Sequence, residues 1–168
     1  MLNLAGSSNI EVVASGSGTT LNAGSGTEAV YLEANGLTFT GTNGTDTVDA
    51  TASNDSITAG SGSTTLYASG SNDVLTAGAN TGLIVDYGTN DVLNMAGSSN
   101  IEVVASGSGT TLNAGSGTEA VYLEGDGLTF TGTNGTDTVD ATASNDTITA
   151  GSGSTTLYAS GRPIKAWL

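Results

Sequence analysis

The chain has no cysteine and no histidine. Disulfides are excluded, and so are the nucleophile–histidine triads of acyl-transfer enzymes. It has one proline and almost no positive charge: Arg162 and Lys165, both within the last eight positions, are its only basic residues. Residues 1–161 therefore carry all sixteen carboxylates with no cation to pair them. Like charges so arranged must be spread out, hydrogen-bonded to backbone, or neutralised by bound cations. Nucleic acid is excluded as a partner, because nothing here neutralises phosphates. No apolar run is long enough to cross a membrane as a helix, so no membrane insertion is expected. No basic segment followed by an apolar core opens the chain, so any export signal is expected to lie outside it or to remain uncleaved. The lack of cysteine fits a secreted bacterial protein held together by something other than disulfides.

Glycine, serine, threonine and asparagine are abundant instead, in two nested repeats. The long one begins at Leu2 and again at Leu93, 91 residues on. Residues 2–70 and 93–161 differ only at Leu4/Met95, Ala34/Gly125, Asn35/Asp126 and Ser56/Thr147. The short one has a large apolar residue every nine positions: Val12, Leu21, Val30, Phe39, Val48, Ile57, Leu66, Leu75, Ile84, Leu93. One ten-residue step, attributed to the extra serine of "GSSN", leads to Val103, and the clock resumes through Leu112, Val121, Phe130, Val139, Ile148 and Leu157. A small residue usually follows two positions later, and polar residues flank each centre, as in "TLN", "TFT" and "SIT". This is a short strand with one buried face, bounded by turn residues. Such a unit cannot bury its face alone, but stacked neighbours can. The expected fold is all-β: a parallel β-solenoid, β-roll-like, with two nine-residue units per coil and about nine coils, roughly 43 Å long at ~4.8 Å per coil. Residues 1–161 are read as one solenoid of two 91-residue-period repeats, 2–92 and a truncated 93–161. Residues 162–168, "RPIKAWL", are read as a C-terminal cap, through Ile164, Trp167 and Leu168, or as a vector-derived or truncated end.

With 18 residues per coil, positions two before each centre form two columns. One holds Glu28, Asp46, Thr64 and Gly82, then Glu119 and Asp137; the other holds Asp55, Asp73 and Asp91, then Asp146. Carboxylates stacked ~4.8 Å apart repel one another unless something lies between them. A hard dication such as Ca²⁺, which takes carboxylate and carbonyl oxygens, suits that position. The alternative is a metal-free ladder: Asn and Asp bond nearby backbone N–H groups in turns, and Asn precedes Asp at 54, 72, 90 and 145.

The nonapeptide "GTNGTDTVD" (41–49) carries Gly41, Gly44, Asp46 and Val48 at the spacing G-G-x-G-x-D-x-U-x, lacking the second glycine. "ATASNDSIT" (50–58), "ASGSNDVLT" (68–76) and "DYGTNDVLN" (86–94) keep the Asp and the apolar residue. In this the chain resembles the RTX (hemolysin-type) calcium-binding nonapeptide repeats. The resemblance implies a secreted β-roll whose turns bind Ca²⁺ between coils. It places that role on Asp46, Asp55, Asp73, Asp91, Asp137 and Asp146, with Glu28 and Glu119 as secondary candidates that depart from the motif.

The outward faces suggest contacts rather than catalysis. One presents Thr20, Thr38, Thr40, Thr58, Thr76, Thr111, Thr129, Thr131, Thr147 and Thr149, interrupted by Val74 and Val92. It is similar to the Thr-rich faces of solenoid ice-binding proteins, which implies binding to ice or a crystalline surface; a solvent-facing strand rich in Thr is the plainer alternative. The other carries Tyr31, Tyr67, Tyr122 and Tyr158, suited to a glycan or a neighbouring rod, or to ordinary cross-strand packing. No enzyme is expected. A lyase would need a basic group that residues 1–161 lack, and Glu11 and Asp49 stand about two coils apart on a flat wall rather than as a hydrolase pair. The expectation is a structural rod of a secreted bacterial repeat protein at the cell surface: an adhesin, surface-layer, or extracellular matrix or filament component. Its coil ends are expected to permit self-association end to end, or its walls side by side.

Overall fold

The computed structural model describes residues 1–4, 6, 9–95 and 100–167. It is a parallel β-solenoid of about nine turns, without a helix among these residues. Every coil contributes one short and one longer strand. The short ones are β1 (Leu2–Asn3), β3 (Thr20–Asn22), β5 (Thr38–Thr40), β7 (Ser56–Thr58), β9 (Val74–Thr76), β11 (Val92–Asn94), β13 (Thr111–Asn113), β15 (Thr129–Thr131), β17 (Thr147–Thr149) and β19 (Lys165–Trp167). The longer ones are β2 (Ile10–Ala14), β4 (Thr27–Leu32), β6 (Thr45–Ala50), β8 (Ser63–Ala68), β10 (Asn80–Asp86), β12 (Asn100–Ala105), β14 (Thr118–Leu123), β16 (Thr136–Ala141) and β18 (Ser154–Ala159). Odd-numbered strands stack in order into one all-parallel sheet, and even-numbered strands into the other.

The register follows the nine-residue clock. Leu21 pairs with Phe39 and Phe39 with Ile57 in the short-strand sheet, while Val30 pairs with Val48 and Val48 with Leu66 opposite. The centres of both sheets meet in one apolar cluster running the length of the rod. Every longer strand except β18, whose Ala159 is exposed, also buries the residue two after its centre: Ala14, Leu32, Ala50, Ala68, Asp86, Ala105, Leu123 and Ala141. Alanine predominates at this position, where a close-packed interior leaves no room for excess volume.

Two departures bend the clock. Pairings that span a "GSSN" segment are offset by 19 residues, as in Leu2↔Leu21, Ile84↔Val103 and Leu93↔Leu112. The serines of "GSSN" lie outside the described residues. Between β8 and β10 the register slips, with Thr81 opposite Thr64 but Leu83 opposite Thr65. Gly82 is the extra residue of this bulge, so Thr81 rather than Gly82 fills the inward column; Thr81 is buried. At the C-terminus, β19 adds to β17, and Ile164 packs against the core. Trp167 stays 65 % exposed, and Leu168 lies outside the described residues.

Candidate cation sites

All eight acidic residues singled out by the repeat point inward. Glu28, Asp46, Asp55, Asp73, Asp91, Glu119, Asp137 and Asp146 are each buried. The alternation of the strand forces this. In β4 and β6, Glu28 and Asp46 lie two residues before Val30 and Val48 and so share their face.

The structure sorts these residues into three groups and one isolate. Glu28 lies directly against Asp46 on the neighbouring coil, and Glu119 against Asp137 in the same way one long repeat later. Both pairs sit where a short strand turns into a longer one. On the opposite edge Asp55, Asp73 and Asp91 form a ladder held by backbone donors. The Leu37 N–H donates to Asp55 Oδ1 at 2.8 Å, the Asp55 N–H to Asp73 Oδ1 at 2.8 Å and the Asp73 N–H to Asp91 Oδ1 at 2.7 Å. Asp146 has no acidic neighbour in its column, which holds Leu128 before it and Ile164 after it. It still accepts the Leu128 N–H at 2.9 Å.

Local backbone geometry explains why Asn precedes each ladder aspartate. Asn54, Asn72, Asn90 and Asn145 are left-handed, with φ between 59° and 65°. The same column elsewhere holds Gly18, Gly36, Gly109 and Gly127, also at positive φ. Asn tolerates this region and Gly is free in it. The side-chain Asn–Asn hydrogen bonds lie on the short-strand face instead, between Asn22 and Asn3 at 2.7 Å and between Asn113 and Asn94 at 2.9 Å.

The carboxylates are only half satisfied. Among the described residues, ten buried side-chain oxygens have no hydrogen-bond partner. They belong to these eight acidic residues and to no others: both oxygens of Glu28 and of Asp46, and one each on Asp55, Asp73, Asp91, Glu119, Asp137 and Asp146. Leaving a buried acceptor unpaired is costly for a neutral group and far more so for a charged one. Burial accordingly raises the proton affinity of six of them. Asp46 rises to about 7, through burial first and then the Glu28 carboxyl beside it. Glu119 rises to about 7 for the same reasons, with Asp137 as neighbour. Asp73 rises to about 6 and Asp91 to about 8, again chiefly by burial. Asp55 and Asp146 are raised as well by burial, although backbone N–H donors offset part of it. At neutral pH the interior must supply either protons or cations.

The turns provide more oxygen. A Cβ added to Gly44 would collide with the Gly26 carbonyl and meet Glu28 Oε2 and the Gly24 carbonyl at 3.2 Å. At Gly135 a Cβ would lie 2.6 Å from the Gly117 carbonyl and 3.1 Å from both the Gly115 carbonyl and Glu119 Oε2. These glycines keep open a space where carbonyl and carboxylate oxygens converge. Among the described residues no three acidic side chains gather closely enough to hold a metal by themselves. An ion between coils would need carbonyls in its shell, and mixed carboxylate–carbonyl coordination is what calcium accepts. The donor set therefore fits calcium.

Comparison with known proteins agrees. A family model for the RTX calcium-binding nonapeptide repeat, in four copies, matches residues 40–75, 58–81 and 131–161. These matches and the parallel β-solenoid fit the degenerate RTX repeat family. RTX nonapeptides are calcium-binding, so Ca²⁺ is the cofactor of the family. The matched segments include Asp46, Asp55, Asp73, Asp137 and Asp146. Glu28, Asp91 and Glu119 lie outside them, yet are buried with unpartnered oxygens in the same manner. No curated protein and no solved structure matches the chain.

Sequence reasoning missed one buried carboxylate, Asp86 at the end of β10. It occupies the position two after a centre, where neighbouring coils carry Ala68 and Ala105. An acid in a column of alanines and leucines was the available signal.

Proposed function

We infer that this solenoid is a calcium-binding structural repeat domain. We propose that it serves as a calcium-stabilised rod in a secreted bacterial repeat protein, an adhesin, surface-layer or matrix component, and that it is not an enzyme. We place the ions between coils at Glu28/Asp46, at Glu119/Asp137 and along Asp55, Asp73 and Asp91, with Asp146 a lone ligand. The observation that carries this reading is the set of ten unpartnered buried oxygens, confined to the acidic residues that the repeat singles out. Bound calcium supplies positive charge where the chain has none, and each carboxylate can then stay ionised at neutral pH. RTX repeat proteins are typically secreted, and free calcium outside cells is high enough for sites of modest affinity. Metal analysis of protein desalted from calcium buffer should find about three ions per chain. Finding none would remove the reading.

A second reading rests on the short-strand face. Strands β3 to β17 of that sheet contain no charged residue, although the chain carries a net charge of −14. Thr40, Thr58 and Thr76 stack in register on its outer side, as do Thr111, Thr129 and Thr147. Thr20 pairs with Thr38, and Thr131 with Thr149. Such a flat, neutral, hydroxyl-bearing wall suits ice or another ordered surface. Thermal hysteresis in the purified protein would support this role, and its absence would remove it. The uncharged short-strand wall also suits side-by-side association of rods. A sedimentation coefficient that does not change with concentration would count against it.

A further inference from the structure

Asp86 opens the nonapeptide 86–94, at the position where the motif has its first glycine. It stacks between Ala68 and Ala105, in an inward column that carries alanine or leucine on every other coil. It is fully buried. A single acid in such a column would be expelled unless its surroundings compensated for the loss of water.

Part of that compensation is visible. The Gly88 N–H donates to Asp86 Oδ1 at 2.8 Å, and the Thr110 hydroxyl donates to Asp86 Oδ2 at 2.9 Å. Thr110 follows Asp91 in the ladder column, and its Oγ1 in turn accepts the Asp91 N–H at 3.3 Å. The ladder Asp55–Asp73–Asp91 thus ends on a threonine that hands the connection to Asp86.

What remains unmatched is Asp91 Oδ2, which is buried and has no partner. It belongs to a residue only 1 % exposed. It points into the space beside Gly88. A Cβ on Gly88 would strike Asp91 Oδ2 and the Gly70 carbonyl and lie 3.2 Å from Asp86 Oδ1. Two carboxylates and a carbonyl therefore face one spot in which glycine alone leaves room. The two acids are also close enough to bond each other, and Asp86 disfavours ionisation of Asp91.

We propose that Asp86 and Asp91, with the Gly70 carbonyl, form an additional divalent-cation site at the junction between the two long repeats, with Asp86 as a ligand that the nonapeptide pattern does not supply. The site rests on the calcium reading above and extends it to a motif position that ordinarily carries glycine. The ion would lie at the end of the aspartate ladder and close it electrostatically, because Thr110 brings no charge of its own.

Calcium titration of the full chain by calorimetry, with Asp86→Ala, Asp86→Asn and the unmodified protein compared, tests this. Alanine is the residue that neighbouring coils already carry here, so Asp86→Ala should fold. Asp86→Asn retains an acceptor for the Gly88 N–H and removes only the charge. Both variants are expected to lose one calcium ion per chain, or to bind it at least about tenfold more weakly, with an unchanged far-UV spectrum in saturating calcium. Calcium binding identical to the unmodified protein in both variants would overturn the site and leave the calcium reading intact. So would a defect confined to Asp86→Ala, because Asp86 would then act as a turn acceptor and not as a ligand. If the unmodified protein bound no calcium at all, both the site and the wider reading would fall.

Discussion

The two long repeats are nearly the same sequence, yet they do not make the same site. Asp55 and Asp146 occupy equivalent positions, follow the same left-handed asparagine and accept the same kind of backbone N–H from Leu37 and Leu128. Asp55 continues into Asp73 and Asp91, while Asp146 is followed in its column by Ile164. By contrast Glu28/Asp46 and Glu119/Asp137 have identical neighbours in both copies. In a solenoid, the surroundings of a carboxylate are set by what stands one coil away, 18 residues along the chain. Identical nonapeptides become different sites, and the motif alone does not say which.

The largest expected effect is on the metal-free protein as a whole. Its buried carboxyls bind protons more tightly when folded, at about 6 for Asp73, 7 for Asp46 and Glu119, and 8 for Asp91. The unfolded chain releases these protons near the ordinary carboxylate values, 3.8 for Asp and 4.5 for Glu. The folded state thus holds more protons between those limits, and stability must fall as pH rises. Stabilisation is complete below about pH 4 and lost through pH 6 to 8. Melting of metal-free protein should show its highest Tm at the acid end. A Tm that climbs from pH 4 to pH 8 would mean that the carboxylates already have partners.

The cores of the two repeats should behave alike where the ladders do not. Phe39 and Phe130 are both fully buried between equivalent strands. Either one changed to Ala should cost about 3–5 kcal/mol in denaturant unfolding, and the two costs should be similar. A large inequality would show that the copies differ in packing as well as in charge. Asp73→Asn and Asp146→Asn probe the ladder itself in saturating calcium. The first removes a charge flanked by two further acids and should destabilise by roughly 1–3 kcal/mol; the second should cost less than half of that. Equal losses would contradict the dependence on neighbouring coils. The smallest effect concerns the turn. Asn72→Ala places an alanine at positive φ and should cost about 1 kcal/mol, whereas Asn72→Gly should change stability by only a few tenths.

Much of this was legible in the sequence because the physics is periodic. The nine-residue spacing of Val12 through Leu157 fixes which side chains meet, and the strands alternate around those centres as they must. The burial of Glu28, Asp46 and the ladder aspartates follows from their distance of two residues from a centre. Irregularity was harder to read. The bulge at Gly82 moves Thr81 into the inward column, and nothing in "ANTGLIV" marks which residue is extra. The "SND" asparagines suggest a side-chain ladder, but their use is conformational, and the Asn–Asn bonds form at Asn3/Asn22 and Asn94/Asn113. Asp86 escaped notice because the pattern is read by matching positions to the motif, and it breaks the motif.

The central claim is that cations, and not only turn hydrogen bonds, neutralise the inward carboxylates. Far-UV circular dichroism of metal-free protein at pH 7.5, followed through thermal melting as Ca²⁺ is added with Mg²⁺ as control, tests it most directly. The account predicts that β signal and Tm rise steeply with Ca²⁺, by about 2.7 kcal/mol per site at a hundredfold excess over Kd, and much less with Mg²⁺. A metal-free chain that is already fully folded at that pH and indifferent to Ca²⁺ would contradict it.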